Sequence, residues 1–437
     1  MTTTTTGAQP SSAPQSHGTP VLFILGAILL GGMAGWLAGP DTRWLGMRLL
    51  DVFDLLGTVF LNLLKTLIVP LIAASIITSI ANLGTGPGLG RLGARTFAFY
   101  VITTAIATLI ALAVVNLVQP GIIDGRPARE LLALHTSEEQ VLAGVTDRSS
   151  GSLLAVVSRL VPGNIVAAAS ENKILAIVIF SVLFGFFLAR ISEPQRSTVM
   201  SFWKGVLEVM MGMTAWVMRL APIGVFGLTA KAIATSGLGA AGPLLIFGAS
   251  VIAGLVIYGL VALPLLVRLA ARVNPWPLFP VMGPALLTAF STCSASATLP
   301  ASLDCVKRTG VSDRMSNFVL PLGVSINHAG SALYECAAAL FIAQAYGLTL
   351  PLFAQLGIVG LALLTSMGIA SIPAASLVGL MVILDAVGLP SEAVGVLLMI
   401  DRPLDMTRTA INVLADAACV VIVARQEGET HVLKNDA

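Results

Sequence analysis

The chain is 437 residues long, 56% hydrophobic and 11% charged, with a net charge of +2. Soluble domains carry about 25% charged residues, so this composition excludes an ordinary soluble fold, and the near-neutral balance excludes a nucleic-acid role. Several apolar runs reach the roughly 20 residues that a helix needs to cross a bilayer, which predicts an all-α polytopic membrane protein.

In chain order, residues 1–20, "MTTTTTGAQPSSAPQSHGTP", are rich in Thr, Ser and Pro and predict a disordered tail. They lack the basic stretch of a signal peptide, so the run at 21–39 reads as a retained membrane helix. Apolar segments at 21–39, 53–83, 97–118, 174–191, 203–237, 243–271, 315–346 and 392–425 predict eight spans. Two further stretches do not fit ordinary spans: 278–300, ending "FSTCSASATLP", and 352–387, centred on "TSMGIASIPAAS". Each is interrupted midway by small hydroxyl residues and a proline, Pro300 and Pro373. Non-helical backbone at membrane depth is tolerated only where protein or a water-filled cavity covers it. Both stretches therefore read as re-entrant hairpins, spanning 278–310 and 352–387.

Loop charges test this layout. With the amino terminus inside, the inner loops hold Arg91, Arg95, Arg190, Arg196, Arg268, Arg272, Lys307, Arg308, Arg314, Arg425 and Lys434. The outer loop at 119–152 mixes Asp124, Glu130, Glu138, Glu139 and Asp147 with three arginines. That asymmetry follows the positive-inside rule, and counting either hairpin as a full span would spoil it. Both termini are then cytoplasmic. The two halves of the carboxy-terminal region mirror each other as inverted repeats, each a broken hairpin followed by a long helix with polar residues at mid-depth. Paired interruptions of this kind point to a transporter binding site. Cys293, Cys305, Cys336 and Cys419 show no CxxC pairing, so they predict buried apolar side chains and neither a zinc site nor a disulfide framework.

The last span contains "DRPLDMTRTAINVLAD" (401–416), five charges within apolar sequence. Each charge at mid-bilayer costs roughly 2.5–3.5 kcal/mol on the insertion scale, so the cluster predicts a cavity with a ligand. On a helix, Asp401, Asp405, Arg408, Thr409, Asn412 and Asp416 form one stripe, because side chains three and four apart share a face. A guanidinium recognises a carboxylate through a planar fork, and an aspartate one turn away can hold an ammonium group. Arg408 and Asp405 thus frame a molecule with a distal carboxylate and an α-amine. Asn412 and Asp416, deeper by a turn, offer hard oxygens to a small cation. Arg402 either snorkels or pairs with an aspartate. In "PLGVSINHAGSAL" (321–333), Asn327, Gly330 and Ser331 favour an unwound segment that exposes carbonyls, or else a small-residue packing face. His328 is a hydrogen-bonded interior histidine or a proton relay. Ser294 and Ser296 are weak signals alone, since serines in apolar helices often bond back to the preceding turn.

Together these residues resemble the dicarboxylate/amino acid:cation symporter family, which includes the glutamate transporters. The resemblance runs from about residue 45 to 425. It rests on "LLKTLIVPLIAASIITSI" (63–80), "APIGVFGL" (221–228), "TLP" closing the first hairpin, "PLGVSIN" (321–327), "SIPAAS" (371–376) and "DMTRTAINVLADA" (405–417). It implies a homotrimer of elevator-type transporters and no enzymatic activity. Residues 21–240 would be mainly a scaffold, except that the third helix, 97–118, joins the transport domain of 241–425. A tail at 426–437 would follow. Arg408 would bind a side-chain carboxylate and Asp405 an amino group, with Asp401 orienting Arg408. Thr409, Asn412, Ser331, Ser294 and Ser296 would complete the pocket, and Ser371 and Ile372 would close it. One sodium site would use Gly323, Asn327, Asn412 and Asp416, and a second the carbonyls of Ser325, Ser366, Met367 and Ile369. A third, with Tyr100, Thr103, Thr104 and Asn327, lacks its carboxylate, because the family's "NMDGT" reads "NHAGS" (327–331) with Ala329 in place of aspartate. Losing that charge from a dehydrated cation site weakens it, which implies two Na+ rather than three, or H+ coupling that involves His328. Cys293 stands where some members carry an arginine. The presence of both Arg408 and Asp405 implies import of L-glutamate or L-aspartate across a bacterial inner membrane, with a C4-dicarboxylate or a neutral amino acid as the alternative substrate.

Overall fold

The computed structural model describes residues 21–39, 42–44, 47–82, 89–132, 134, 141, 163–170, 174–236, 239, 241–368 and 375–433. Residues 1–20, expected as a tail, and residues 369–374, with Pro373, lie outside them. Almost everything described is helical. Helices α1 (Val21–Ala38) and α2 (Leu49–Asn82) flank a two-residue antiparallel pair, β1 (Arg43–Trp44) with β2 (Met47–Arg48). Helix α3 (Leu89–Val118) leads into a second such pair, β3 (Ile122–Ile123) with β4 (Arg126–Pro127), in the outer loop. Then come α4 (Ile165–Ser170), α5 (Ile174–Leu188), α6 (Gln195–Arg219) and α7 (Ala221–Ser236). The apolar run at 203–237, expected as one span, is two helices bent by 50°. Pro222, one residue into α7, has no N–H to donate to the preceding turn, so the chain breaks there.

Helix α8 (Ala241–Ala271) is long and apolar. It loosens into π-helical turns at Tyr258–Ala262 and Val267–Ala271 on either side of Pro264, whose ring crowds the turn before it. The first hairpin is α9 (Leu278–Thr292) and α10 (Ala295–Lys307). Its turn is not at Pro300, which lies within α10. Cys293 makes the turn with a left-handed backbone (φ +52°), and Ser294 caps α10 by accepting from Ala297 N at 3.2 Å. Helices α11 (Asp313–Ile326) and α12 (Ala329–Ala345) share one apolar run that is broken at Asn327 and His328. The second hairpin is α13 (Leu352–Gly368) and α14 (Ala375–Val387), and α15 (Val394–Gln426) closes the order.

By length and composition four helices among the described residues can cross a membrane: Leu49–Thr78, Leu92–Val118, Ala241–Ala271 and Ser391–Gln426. The bent pair α6 and α7 makes a fifth if taken as one span. The other apolar helices are shorter or broken. Two groupings stand out in the packing. Helices α1, α2, α5, α6 and α7 lie mainly against one another, while α8 to α12 pack around α15, and α12 also contacts α3, α13 and α14. Helix α15 is apolar on all sides beyond its polar stripe, and residues 417–424 are wholly buried. A helix without a polar face is stable only when enclosed. Large apolar side chains such as Leu29, Trp36, Phe187, Phe202, Leu245 and Leu269 are exposed instead, forming a surface fit for lipid.

At one end the chain after α15 is stitched across its neighbours. Glu427 pairs with Arg95 of α3, Arg425 Nε donates to Ala271 O at the end of α8, and Glu429 accepts from Ser312 N and Oγ at the start of α11. Leu433 N donates to Thr309 O at 2.8 Å, just after α10, and Val432 and Leu433 are buried. Arg95, Arg425 and the helix ends beside Arg272, Lys307, Arg308 and Arg314, all expected in inner loops, therefore meet on one side of the molecule. All four cysteines are buried, as expected, and free.

Candidate functional site: a charged cluster inside the helical core

Helix α15 carries two polar stations. At the first, Arg408 is completely buried. Its Nη2 donates to Asp401 Oδ1 at 2.8 Å and lies 3.1 Å from Asp405 Oδ1, while Nε donates to the same Asp405 oxygen at 3.3 Å. The Tyr334 ring of α12 covers the guanidinium face, with its centroid 4.0 Å from Cζ. The remaining nitrogen, Nη1, is buried and has no hydrogen-bond partner. An unmet donor on a buried guanidinium is costly, and a carboxylate placed there would satisfy it. Arg402 is also buried and approaches Asp405 Oδ2 with Nη1 at 3.9 Å, so it pairs with an aspartate. Thr409, on the same stripe, spends its hydroxyl proton on Asp405 O at 2.8 Å.

Two turns further along, the second station centres on Asp416. Its Oδ1 accepts from Asn327 Nδ2 at 2.8 Å, at the break between α11 and α12. Among the described residues no basic side chain lies within ion-pair distance of this buried carboxylate. Thr103 and Thr104 of α3 each donate to Asn327 Oδ1 at 3.4 Å, and Tyr100 donates to Val319 O at 2.7 Å. Gly323 is needed here: a Cβ on it would stand 2.6 Å from Asp416 Oδ1 and 2.8 Å from the Tyr100 hydroxyl. Gly323, Asn327, Tyr100, Thr103, Thr104 and Asp416 thus converge on one point, rich in hard oxygen.

Asn412 links the stations. Its Oδ1 accepts from Gly330 N at 2.7 Å and its Nδ2 donates to Ser331 Oγ at 3.2 Å, which ties α15 to the first turn of α12. Gly330 allows this approach, since a Cβ there would meet Arg408 O at 2.8 Å. Asn327 and His328 have non-helical torsions (φ −99°, ψ 83° and φ −107°, ψ 54°), so the helix is interrupted where the two polar groups cross.

Both hairpins reach the cluster. The charged groups around the Cys293 thiol, at the first hairpin turn, are Asp405, Arg402, Arg408 and Asp401. Ser294 is half-buried and holds its cap, whereas Ser296 is exposed in the first turn of α10. In the second hairpin, Ser366 O accepts from His328 Nδ1 at 3.1 Å. A carbonyl only accepts, so His328 carries its proton on Nδ1 in this contact. Met367 is half-buried in the same turn, and Ser325 donates its hydroxyl back to Pro321 O at 3.1 Å within α11. Ile369, Ser371 and Ile372 lie outside the described residues.

Two residues of this site were missed from sequence. Tyr334 covers Arg408. Glu335, next to it, is fully buried: Oε2 accepts from Thr365 Oγ1 at 2.6 Å, and Oε1 has no hydrogen-bond partner. Glu335 had a legible signal, being the one acidic residue in the apolar run at 315–346.

Comparison with known proteins gives a consistent picture. The profile of the sodium:dicarboxylate symporter family matches residues 21–426. A proton/glutamate-aspartate symporter of Escherichia coli (strain K12) is 34% identical over 92% of both chains. A proton/sodium-glutamate symport protein of Geobacillus stearothermophilus is 32% identical over 86% of this chain and 87% of its own. The neutral amino acid transporter B(0) of Bos taurus is 32% identical over 91% of this chain and 77% of its own.

Proposed function

Because this chain belongs to the sodium:dicarboxylate symporter family, we propose that it is a secondary-active symporter that moves L-glutamate and L-aspartate across a bacterial plasma membrane together with a cation. The observation that carries this reading is the unpartnered Nη1 of Arg408, a buried donor aimed where a carboxylate would complete the guanidinium. A dicarboxylic amino acid supplies that group, and its ammonium suits Asp405. Thr409, Asn412 and Ser331, with Ser294 and Ser296 of the first hairpin and Ser371 and Ile372 of the second, are the remaining candidates for substrate contact, and Asp401 sets the orientation of Arg408. A neutral amino acid with its ammonium on Asp405 has no side-chain carboxylate to offer Nη1, so that reading is not favoured.

Asp416 supports cation coupling, because a buried carboxylate with no positive neighbour among the described residues is most stable beside a cation. Gly323, Asn327, Asn412 and Asp416 form the first proposed Na+ site. Ser325, Ser366, Met367 and Ile369 form the second, while the point beside Tyr100, Thr103 and Thr104 is left weak by Ala329. Relatives are named for proton as well as sodium coupling, and His328 and Glu335 are candidates to carry a proton beside the aspartates of this site.

We further infer eight spans with two re-entrant hairpins, a scaffold within 21–240 and a moving body of 241–425 joined by 97–118. The two packing groups support this division, since α3 sides with α12 and α8 rather than with α1 and α2. The arginine-rich ends gathered on one side suit a cytoplasmic face. A homotrimer with elevator-type motion and cytoplasmic termini completes the proposal. The test is uptake into proteoliposomes of labelled glutamate, aspartate, succinate and serine under imposed Na+ and H+ gradients. Saturable, gradient-driven uptake of the acidic amino acids supports the reading. Preference for serine, or flux that fails to saturate, refutes it.

A further inference from the structure

Arg402 has no part in the scheme so far. It lies three residues before Asp405, as Arg408 lies three after, so one carboxylate sits between two guanidinium groups on the same helix. The two hold it differently. Arg408 grips Oδ1 from two nitrogens at 3.1 and 3.3 Å. Arg402 faces the other oxygen, Oδ2, with Nη1 at 3.9 Å, which is inside ion-pair range and outside hydrogen-bond range. Arg402 is buried, and its Nε is a buried donor with no partner. Its charge also acts on the Cys293 thiol, at the turn of the first hairpin.

Building on the symporter reading, we propose that Arg402 is a specificity-determining residue that stands in for the substrate's ammonium at Asp405 Oδ2. With an amino acid bound, the ammonium takes Oδ2 at hydrogen-bond distance and the loosely held guanidinium gives way. With a dicarboxylate that lacks an amine, Arg402 stays and keeps Asp405 from repelling the ligand. The pocket therefore accepts amine-free dicarboxylates as weaker second substrates. Arg402 acts here through Asp405 and is a positioning residue.

The experiment is competition against labelled L-aspartate in proteoliposomes, with unlabelled L-aspartate or succinate as competitor, for the wild type, Arg402→Gln and Arg402→Lys. In the wild type, succinate competes more weakly than aspartate. In Arg402→Gln the succinate requirement rises by about tenfold or more, while that for aspartate changes by less than about threefold. Arg402→Lys keeps the wild-type ratio. A parallel loss for both competitors means a merely structural ion pair and overturns the proposal. An unchanged ratio in Arg402→Gln, or a wild type that succinate never inhibits, overturns it as well. A wild type that takes up no acidic amino acid under any gradient overturns the symporter reading itself, and is distinguished by the missing baseline signal.

Discussion

The two stations of α15 are built on opposite electrostatic plans. Around Arg408 the charges are balanced before any ligand arrives: Asp401 and Asp405 neutralise it, Arg402 backs Asp405, and one donor is left over. Around Asp416 no basic side chain among the described residues balances the charge, and the carboxylate is steadied by an amide. A balanced cluster with a spare donor is suited to a ligand that brings both signs. An unbalanced one needs a bare cation. Placing both on one helix, with Asn412 between them and bonded to the broken end of α12, lets occupancy at one station bear on the geometry of the other.

The largest expected effect is at the balanced station. Arg408→Gln removes the anion fork and leaves two buried aspartates with Arg402 as their remaining cationic neighbour among the described residues. Uptake of glutamate and aspartate should fall by about a thousandfold or more, since breaking one buried charge pair costs about 3–5 kcal/mol. Transport retained in that variant would end the assignment. Asp416→Asn is the matching change at the unbalanced station. It keeps the shape and removes the charge, so cation affinity should drop by about a hundredfold while the substrate affinity at saturating cation changes little. Cation titrations of substrate binding measure both.

Two smaller changes sharpen the contrast. Ala329→Asp adds a carboxylate beside Asn327, so the sodium dependence of uptake should steepen, read as a higher Hill slope. An unchanged slope would count against the idea that this point has lost a cation. Tyr334→Leu strips the ring from the Arg408 face. A desolvated cation–π contact is worth about 2 kcal/mol, so substrate affinity should weaken by roughly tenfold or more, with cation affinity at Asp416 unaffected.

Much of this was legible in the residues. The polar stripe of α15 could be read from its spacing because a helix turns every 3.6 residues, and every member of that stripe proved buried. The interruption near Asn327 could be read because small polar residues sit mid-span. What escaped depended on one residue or on distant contacts. Pro300 looked like the hairpin turn, but it lies inside α10, and Cys293 took the left-handed torsion instead. The α6–α7 bend was concealed in a continuous apolar run, although Pro222 marked it. Tyr334 could not be singled out at all, since its role depends on how α12 faces α15.

The stitched segment after α15 has an outcome of its own. Residues 425–433 are fastened to the ends of α3, α8, α10 and α11, and α3, α10 and α11 also carry residues of the candidate site. The segment up to Leu433 is thus no free appendage. A fluorophore fixed near Leu433 should inherit any displacement of that body, which turns the last stretch of the chain into a gauge of the cleft's travel.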